Sequence, residues 1–294
     1  MKEFLHVPVM VGLVAGALGV RPGGRFVDGT LGGGGHAQAI LKESSPDGWL
    51  GGCDRDTEAL AAATAKLDGY PGRWEVRHGA FEDLGEWVEH GSVDGVLLDL
   101  GVSSPQLDWP ERGFSFAADG PLDMRMDTRQ KMTAADLVNT MGEENLANLF
   151  WTMGGERQSR RIARALVDER GKKPLETTGQ LAAVAERVVR RKGGRLHPAT
   201  RVFQALRVAV NDEMGGLRRG LPVMVDLLKP GGRLVTITFQ GLEAKMVKDF
   251  GDEMAKREKP VLRWERRKSL KPDAEELAAN PRSRSAQLRI LEKI

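Results

Sequence analysis

The feature that most constrains this chain is a run of glycines between a short apolar segment and a helix-like one: Val27-Asp28-Gly29-Thr30-Leu31-Gly32-Gly33-Gly34-Gly35-His36. Glycines at such a junction let the backbone turn tightly and lie against a ligand with no Cβ in the way. The segments on either side, Arg25–Asp28 and Ala37–Glu43, read as strand and helix, and the pattern then repeats. Trp49–Asp54 and Thr57–Leu67 form a second strand and helix, Trp74–Arg77 and Phe81–Glu89 a third pair, and Asp94–Leu100 a fourth strand. This alternation predicts an α/β fold with a parallel sheet. The unbroken apolar run of the fourth strand fits a strand covered on both faces.

After residue 108 the pattern breaks. Trp109–Arg129 is rich in Gly, Pro, Asp and Arg and predicts a long ordered loop. Ala134–Met141, Glu143–Met153, Arg157–Glu169 and Thr178–Arg191 then carry apolar residues at helical spacing, with no strand signal. Strand patterning returns at Gly232–Phe239, after the turn Lys229–Gly232. The expected organisation is therefore an α/β domain over 1–108 and 211–294, with an all-helical domain inserted over 109–210. The apolar N-terminal stretch through Val20 has neither a basic lead nor a small-residue cleavage site, and reads as a buried first helix. Lys256–Lys271 is charged and aperiodic, expected as a strand edge with a flexible loop.

The acids around the glycine loop narrow the ligand. A carboxylate at Asp28 would repel a pyrophosphate but suits a cationic amino-acid group. Asp54 closes the second strand 19 residues after Gly35, the offset at which an acid meets ribose hydroxyls. Leu227–Phe239, a helix end, a Pro-Gly-Gly turn and a late strand, is typical of S-adenosylmethionine-dependent methyltransferases. Together these favour S-adenosylmethionine over NAD, although Asp54 as a helix cap and Asp28 as a loop brace remain open. His36, at the start of the next helix, is expected beside the cofactor. His6, His78, His90 and His197 are scattered, so no metal site is expected. The lone Cys53 excludes a disulfide framework and fits a reducing compartment. No Gly-x-Ser-x-Gly elbow supports acyl transfer, and no apolar run reaches the roughly 20 residues of a membrane helix.

Charge is unevenly placed. Residues 1–150 hold 12 Lys/Arg against 23 Asp/Glu, a net −11; residues 151–294 hold 32 against 18, a net +14. The basic half points to a polyanionic partner, with solvated helix faces as the alternative.

These residues and several longer strings resemble one family. The strings are Cys53–Asp56, His78–Phe81, Leu97–Leu107 (LLDLGVSSPQL), Arg112–Phe116, Asp119–Asp127 (DGPLDMRMD), Glu156-Arg157, Arg161–Ala165, His197–Arg201, Phe203–Ala205 and Asn280–Arg284. The chain resembles, over essentially its whole length, the bacterial 16S ribosomal RNA cytosine-N4 methyltransferases (the MraW/RsmH methyltransferases). The resemblance implies a Rossmann-like methyltransferase domain with a helical insertion. It also implies methyl transfer from S-adenosylmethionine to N4 of a cytidine in the decoding (P-site) region of 16S rRNA, either free or within the small ribosomal subunit. Carried over by position, the cofactor contacts are Gly34, Gly35, His36, Asp54 and Phe81, with Asp99 and Gln106 on the methionine and target side. The chain departs from the family at Phe239-Gln240-Gly241-Leu242-Glu243, where Phe-His-Ser-Leu-Glu is usual, and at Gly33, where a side chain is usual.

The chemistry is consistent with that reading. Methylation at C5 of cytosine needs a cysteine nucleophile, and Cys53 lies inside a strand. An N4 amino group needs only acceptors for its hydrogens and an in-line methyl donor; Asp99 and Ser103 are the candidate catalytic groups. Arg157, Arg160, Arg161 and Arg164 are expected on one helical face, and Arg190, Arg191, Lys192, Arg195 and Arg201 cluster near His197. Arg157, Arg161, Arg164, His197 and Arg201 are the candidate RNA contacts. The expected setting is cytoplasmic, without membrane association, and the resemblance permits a homodimer. The rivals are an amino-methyltransferase acting on DNA or protein, a non-catalytic RNA-binding assembly factor and, more remotely, an NAD-dependent oxidoreductase.

Overall fold

The computed structural model describes residues 7–189 and 196–294. His6, Arg190, Arg191, Lys192 and Arg195 lie outside the described residues. The chain divides into two compact units, Met1–Gly101 with Met214–Ile294, and Val102–Glu213.

The first unit begins with α1 (Val11–Leu18), β1 (Arg25–Asp28), α2 (Gly35–Glu43), β2 (Trp49–Asp54), α3 (Thr57–Leu67), β3 (Trp74–His78) and β4 (Val93–Asp99). The expected first helix is α1, which buries Val14, Ala15, Ala17 and Leu18. The helix expected over Phe81–Glu89 is instead a 3-10 segment, Phe81–Glu86. Gly85 disfavours a longer helix there, and a Cβ on it would lie 2.9 Å from Val223. Asp83 Oδ2 also accepts the Ala80 N–H at 3.1 Å, which fixes a tight entry turn.

The second unit holds α4 (Ser104–Asp108), α5 (Ala134–Thr140), α6 (Glu143–Thr152), α7 (Ser159–Arg170), α8 (Thr178–Val188) and α9 (Thr200–Val210). It contains no strand among the described residues, only an isolated bridge between Pro121 and Thr177. The long segment before α5 is ordered by specific bonds. Arg125 forks onto Asp123 at 2.7 Å through both Nε and Nη2. Asn211 accepts the Met126 N–H at 2.7 Å and donates to the Met124 carbonyl at 2.8 Å. Arg157 precedes α7 rather than lying on it, because the Glu156 carboxylate accepts the Gln158 N–H at 2.7 Å and forms the entry turn. One core of Leu146, Phe150, Ile162, Leu166, Leu181 and Leu206 binds these helices.

The chain then completes the first unit with α10 (Glu213–Leu227), β5 (Leu228–Thr238), α11 (Gly241–Lys256), β6 (Leu262–Trp264), α12 (Ala274–Ala279) and β7 (Gln287–Lys293). The sheet order is β3-β2-β1-β4-β5-β7-β6. The β3-β2-β1-β4-β5 ladder is parallel, and β7 runs antiparallel between β5 and β6. The Pro-Gly-Gly turn is a bulge inside β5: Val93 pairs with Leu228, and the next register point is Gly95 with Arg233. Apolar cores cover both faces, one built with α1, α2 and α3, the other with α10 and α11. This is an α/β, Rossmann-like architecture, with the strand ends of β1, β2 and β4 at one rim of the sheet.

Phe150 is fully buried in the helical unit. Phe150→Ala is expected to cost roughly 3–5 kcal/mol, the usual range for a phenylalanine cavity. Hydrogen exchange should show the loss as faster exchange across α5–α9, with the amides of β1 and β4 unaffected.

Candidate active site

The glycine loop is threaded between two strands by backbone bonds. Gly29 N donates to Leu97 O of β4 and Leu31 N to Cys53 O of β2, each at 3.0 Å. The Asp99 N–H donates to Thr30 Oγ1 at 2.6 Å, tying the loop to the end of β4. Gly34 has φ +74°, and a Cβ there would lie 2.9 Å from the Ala63 backbone, so glycine is required on both counts. Gly35 opens α2 with Pro8 against its missing side chain, 2.7 Å from a would-be Cβ. The loop therefore has one course, and that course sets the three acids around it.

Asp54 ends β2 with both carboxylate oxygens engaged by backbone. Oδ2 accepts from Gly32 N at 2.7 Å and Oδ1 from Asp56 N at 2.8 Å. The carboxylate, an acceptor at both oxygens, is of the type that takes a vicinal diol. Burial pushes the Asp54 carboxyl up to about 6 against the backbone N–H groups of Asp56, Gly32 and Arg55, which pull it down. The alternative of Asp54 as helix cap is settled by the structure: Asp56 caps α3, its side chain accepting the Glu58 N–H at 3.0 Å.

Asp28, His36 and Asp99 form one buried cluster. His36 Nε2 lies 3.5 Å from Asp99 Oδ2. Asp28 Oδ1 accepts the Thr30 N–H at 3.1 Å, so Asp28 does brace the loop, but its Oδ2 has no partner. Asp99 Oδ1 and both His36 ring nitrogens lack hydrogen-bond partners as well. Burial pushes the Asp28 carboxyl up to about 6, partly opposed by His36. For His36, burial pulls the imidazole down, yet the Asp99 contact and the Asp28 charge outweigh it and leave the group raised. Asp28 Oδ2, Asp99 Oδ1 and His36 Nδ1, with neither a hydrogen bond nor an ion contact, carry a desolvation cost that a bound polar ligand removes. Two carboxylates facing such a space fit a cationic amino-acid group, and Asp54 fits its ribose, so these residues suit S-adenosylmethionine.

Phe81, the residue expected at the adenine, packs between two glycines: a Cβ on Gly220 would lie 2.2 Å from its ring and one on Gly29 2.8 Å from its own Cβ. Ser103 and Gln106 belong to the helical unit, where Gln106 Oε1 accepts the Ser103 N–H at 3.0 Å and Ser103 Oγ is buried without a partner. No group of three or more His, Cys, Asp or Glu among the described residues could hold a metal ion.

The RNA candidates divide. Arg161 and Arg164 line a groove of about 410 Å³ between α7 and α8, together with Arg160 and Arg187. Arg187, on the neighbouring helix, is paired with Glu169 at 2.7 Å. Arg157 is exposed in the turn before α7. His197 is held inside its unit: Nε2 bonds Glu186 at 2.7 Å, Nδ1 accepts the Ala199 N–H at 3.1 Å, and the ring lies 4.4 Å from that of Phe116. Arg201 donates to the Gly155 carbonyl at 3.2 Å.

The model of the MraW methylase family matches residues 3–294. A "Ribosomal RNA small subunit methyltransferase H" of Thermomicrobium roseum is 47% identical, covering 98% of this chain and 94% of its own. One from Syntrophobacter fumaroxidans is 48% identical over 98% and 96%. A crystallised rRNA methylase from Streptococcus thermophilus is similar in backbone at a TM-score of 0.48 and 12% identity, over 99% of each chain.

Asp28 provides a direct test of the cluster. Its native value of about 6 lies above the ordinary 3.8. Between those values the folded chain holds a proton that the unfolded chain has lost, so this group's contribution to stability falls as pH rises to about 6 and is constant above it. The difference between the two values corresponds to about 3 kcal/mol. Asp28→Asn is therefore expected to raise stability at pH 8, by a margin that shrinks as pH is lowered toward 4. Urea unfolding across that range checks it; a margin independent of pH contradicts it.

Proposed function

Because the chain belongs to the MraW methylase family, we propose that it transfers a methyl group from S-adenosylmethionine to the N4 amino group of a cytidine in the decoding region of 16S rRNA. The proposed setting is the cytoplasm, with the small ribosomal subunit as substrate. Among the described residues no helix is long and apolar enough to cross a membrane. The observation that carries the reading is the set of partnerless Asp28, His36 and Asp99 atoms at the strand ends beside the glycine loop, in a chain that matches the family from end to end.

When bound, S-adenosylmethionine supplies an electrophilic methyl group on a sulfonium. Asp54 holds the ribose hydroxyls, and the Gly34-Gly35 backbone leaves room for close approach. Asp28 faces the cationic methionyl portion. His36, braced by Asp99, fixes the orientation of that carboxylate. The N4 lone pair of cytosine is delocalised into the ring, so an acceptor that draws on an amino hydrogen raises its nucleophilicity; the free Asp99 Oδ1 serves that role and receives the departing proton. The buried Cys53 thiol is pushed well above its ordinary range by burial and the neighbouring acids. A thiol held in that form is a poor nucleophile, which disfavours the covalent route to C5.

The test is methyl transfer to small subunits from cells lacking the modification, read as N4-methylcytidine by nucleoside mass spectrometry. Activity is expected from the parent protein, with Asp54→Ala weakening S-adenosylmethionine binding at least tenfold and activity falling with it. Methylation of another nucleoside or of protein would favour a different amino acceptor. Full biological function in Asp54→Ala would favour a non-catalytic assembly role.

The helical unit is proposed to hold the RNA backbone through the exposed α7 arginines. Arg164 lies 3.5 Å from Glu143 and Arg161 3.2 Å from Gln158, and neither interaction engages its full guanidinium fork. Arg161→Glu with Arg164→Glu is expected to weaken binding to small-subunit rRNA and to reduce its salt dependence by a log–log slope of roughly 1–2, near one for each phosphate no longer neutralised. S-adenosylmethionine affinity, measured by calorimetry on the same variant, should stay at the parental value. Unchanged RNA affinity would remove α7 from the interface.

A further inference from the structure

The first unit ends in a charged stretch that the cofactor site does not use. Residues 256–271 hold eight Lys or Arg and only two acids, Glu258 and Glu265. The stretch runs along β6, the outermost strand, which pairs with β7 alone. Several of its charges are spent locally: Arg257 on Glu253 at 2.9 Å, and Arg263 on Glu292 at 2.6 Å. Glu265 is taken by Arg233 at 3.3 Å. Six remain, all exposed: Lys256 and Lys259 lie before β6, and Arg266, Arg267, Lys268 and Lys271 follow it. None of the last four side chains has an ion-pair partner among the described residues.

The expected flexible loop is pinned at both ends instead. Glu265 N donates to Ile290 O at 3.3 Å, and Leu270 exchanges two 2.9 Å backbone bonds with Leu288. Arg289 Nη1 donates to the Arg267 carbonyl at 3.4 Å in between. Just before the loop, Trp264 is fixed by its Nε1 bond to Asp252 Oδ1 at 3.0 Å and by close packing on Gly251. The four cations are thus presented from a short anchored turn on a built strand. Presenting like charges together without a counter-ion is unfavourable for the folded chain alone, and an anchored turn loses less entropy on binding a polyanion than a free tail does.

We propose that this turn at the β6 edge is a second RNA-binding surface, at which Arg266, Arg267, Lys268 and Lys271 contact backbone phosphates of the ribosomal RNA, separately from the α7 arginines. The proposal rests on the rRNA reading above and deepens it. An RNA backbone fits because the surface offers cations with no apolar or aromatic residue exposed among them, which matches phosphates and not a peptide groove or a membrane interface. The competing role for charges on an outer strand is to block edge-to-edge association.

The experiment compares the parent protein, Arg266→Gln/Arg267→Gln/Lys268→Gln, and a control, Lys245→Gln/Lys248→Gln. The control removes cations that are already paired along α11 with Asp249 and Asp252. Binding of deproteinised small-subunit rRNA is titrated from about 50 to about 300 mM potassium chloride, a range over which phosphate-driven binding falls steeply. S-adenosylmethionine affinity, sedimentation and methyl transfer to small subunits are measured alongside. The triple variant is expected to lose about tenfold to a hundredfold in RNA affinity near physiological salt, with a log–log slope lower by roughly 2–3. It should keep parental cofactor affinity and remain unassociated, and the control should bind RNA as the parent does. A triple variant with parental affinity and slope overturns the surface, and self-association of that variant without loss of RNA affinity assigns these charges to edge protection. A control that loses as much as the triple variant reduces the effect to net charge and also overturns it. Parent protein that binds rRNA but methylates no cytidine overturns the proposed function while leaving the surface to be judged by the binding data.

Discussion

The first unit depends on how the glycine loop is secured between β2 and β4. Two backbone bonds, Gly29 to Leu97 and Leu31 to Cys53, continue the sheet's ladder one step past the end of β1. Thr30 then ties the turn to Asp99. The acids that end β1, β2 and β4 are therefore placed by main-chain geometry and not by their own side-chain packing. A parallel sheet makes this possible because its strands all end at the same rim, and helix entries beside that rim leave polar backbone groups free to engage carboxylates. Asp54 engages backbone N–H groups through both oxygens; Asp28 leaves an oxygen bare.

That difference separates structural from functional burial. A carboxylate with both oxygens bonded can be a stable part of a loop, whereas one with a bare oxygen inside the protein raises the energy of the unliganded state. Asp28, Asp99 and His36 partly neutralise one another, which holds the cost to a tolerable level without eliminating it. The two cores on the faces of the sheet offset what remains. Sites of this kind bind by relieving a pre-existing penalty, so affinity and stability trade against each other at the same atoms.

The sequence made part of this legible. Strands β1, β2 and β4 are short apolar runs ending in Asp, and the glycine loop, Asp54 and the helical insertion follow from local pattern. What was not legible depended on distance in the chain. β7 alternates apolar and charged residues and gains its meaning only from pairing between β5 and β6, a non-local arrangement. The His36–Asp99 contact joins residues that sequence could place near the cofactor but not against each other. His197 reads as an RNA contact in a basic stretch, yet Glu186 and Phe116 engage it within the helical unit. Arg157 continues the helical pattern in sequence, but the bond from Gln158 N–H to the Glu156 carboxylate turns the chain there, and the 3-10 segment at Phe81 depends on Gly85 lying close to Val223 of a distant helix.

The division of charge follows from the same physics. Acids are concentrated in the half of the sequence that builds the strand-end site, where a cationic ligand requires them, and the excess of bases lies beyond residue 150. Basic residues in the second half differ in what they do, and pairing is what sorts them. Arg207 is spent on Glu213 at 2.7 Å and Lys245 and Lys248 on aspartates one turn along α11, so they contribute to folding and little else. Arg160 and Arg161 on α7 and the turn at Arg266–Lys268 are exposed, with no acidic partner among the described residues. A polyanion gains most from cations of the second kind, because binding them breaks no existing ion pair and releases the counter-ions held by its phosphates. On the proposed rRNA reading, unpaired cations on anchored elements are therefore a sharper guide to phosphate contacts than net charge, which counts paired and unpaired bases alike.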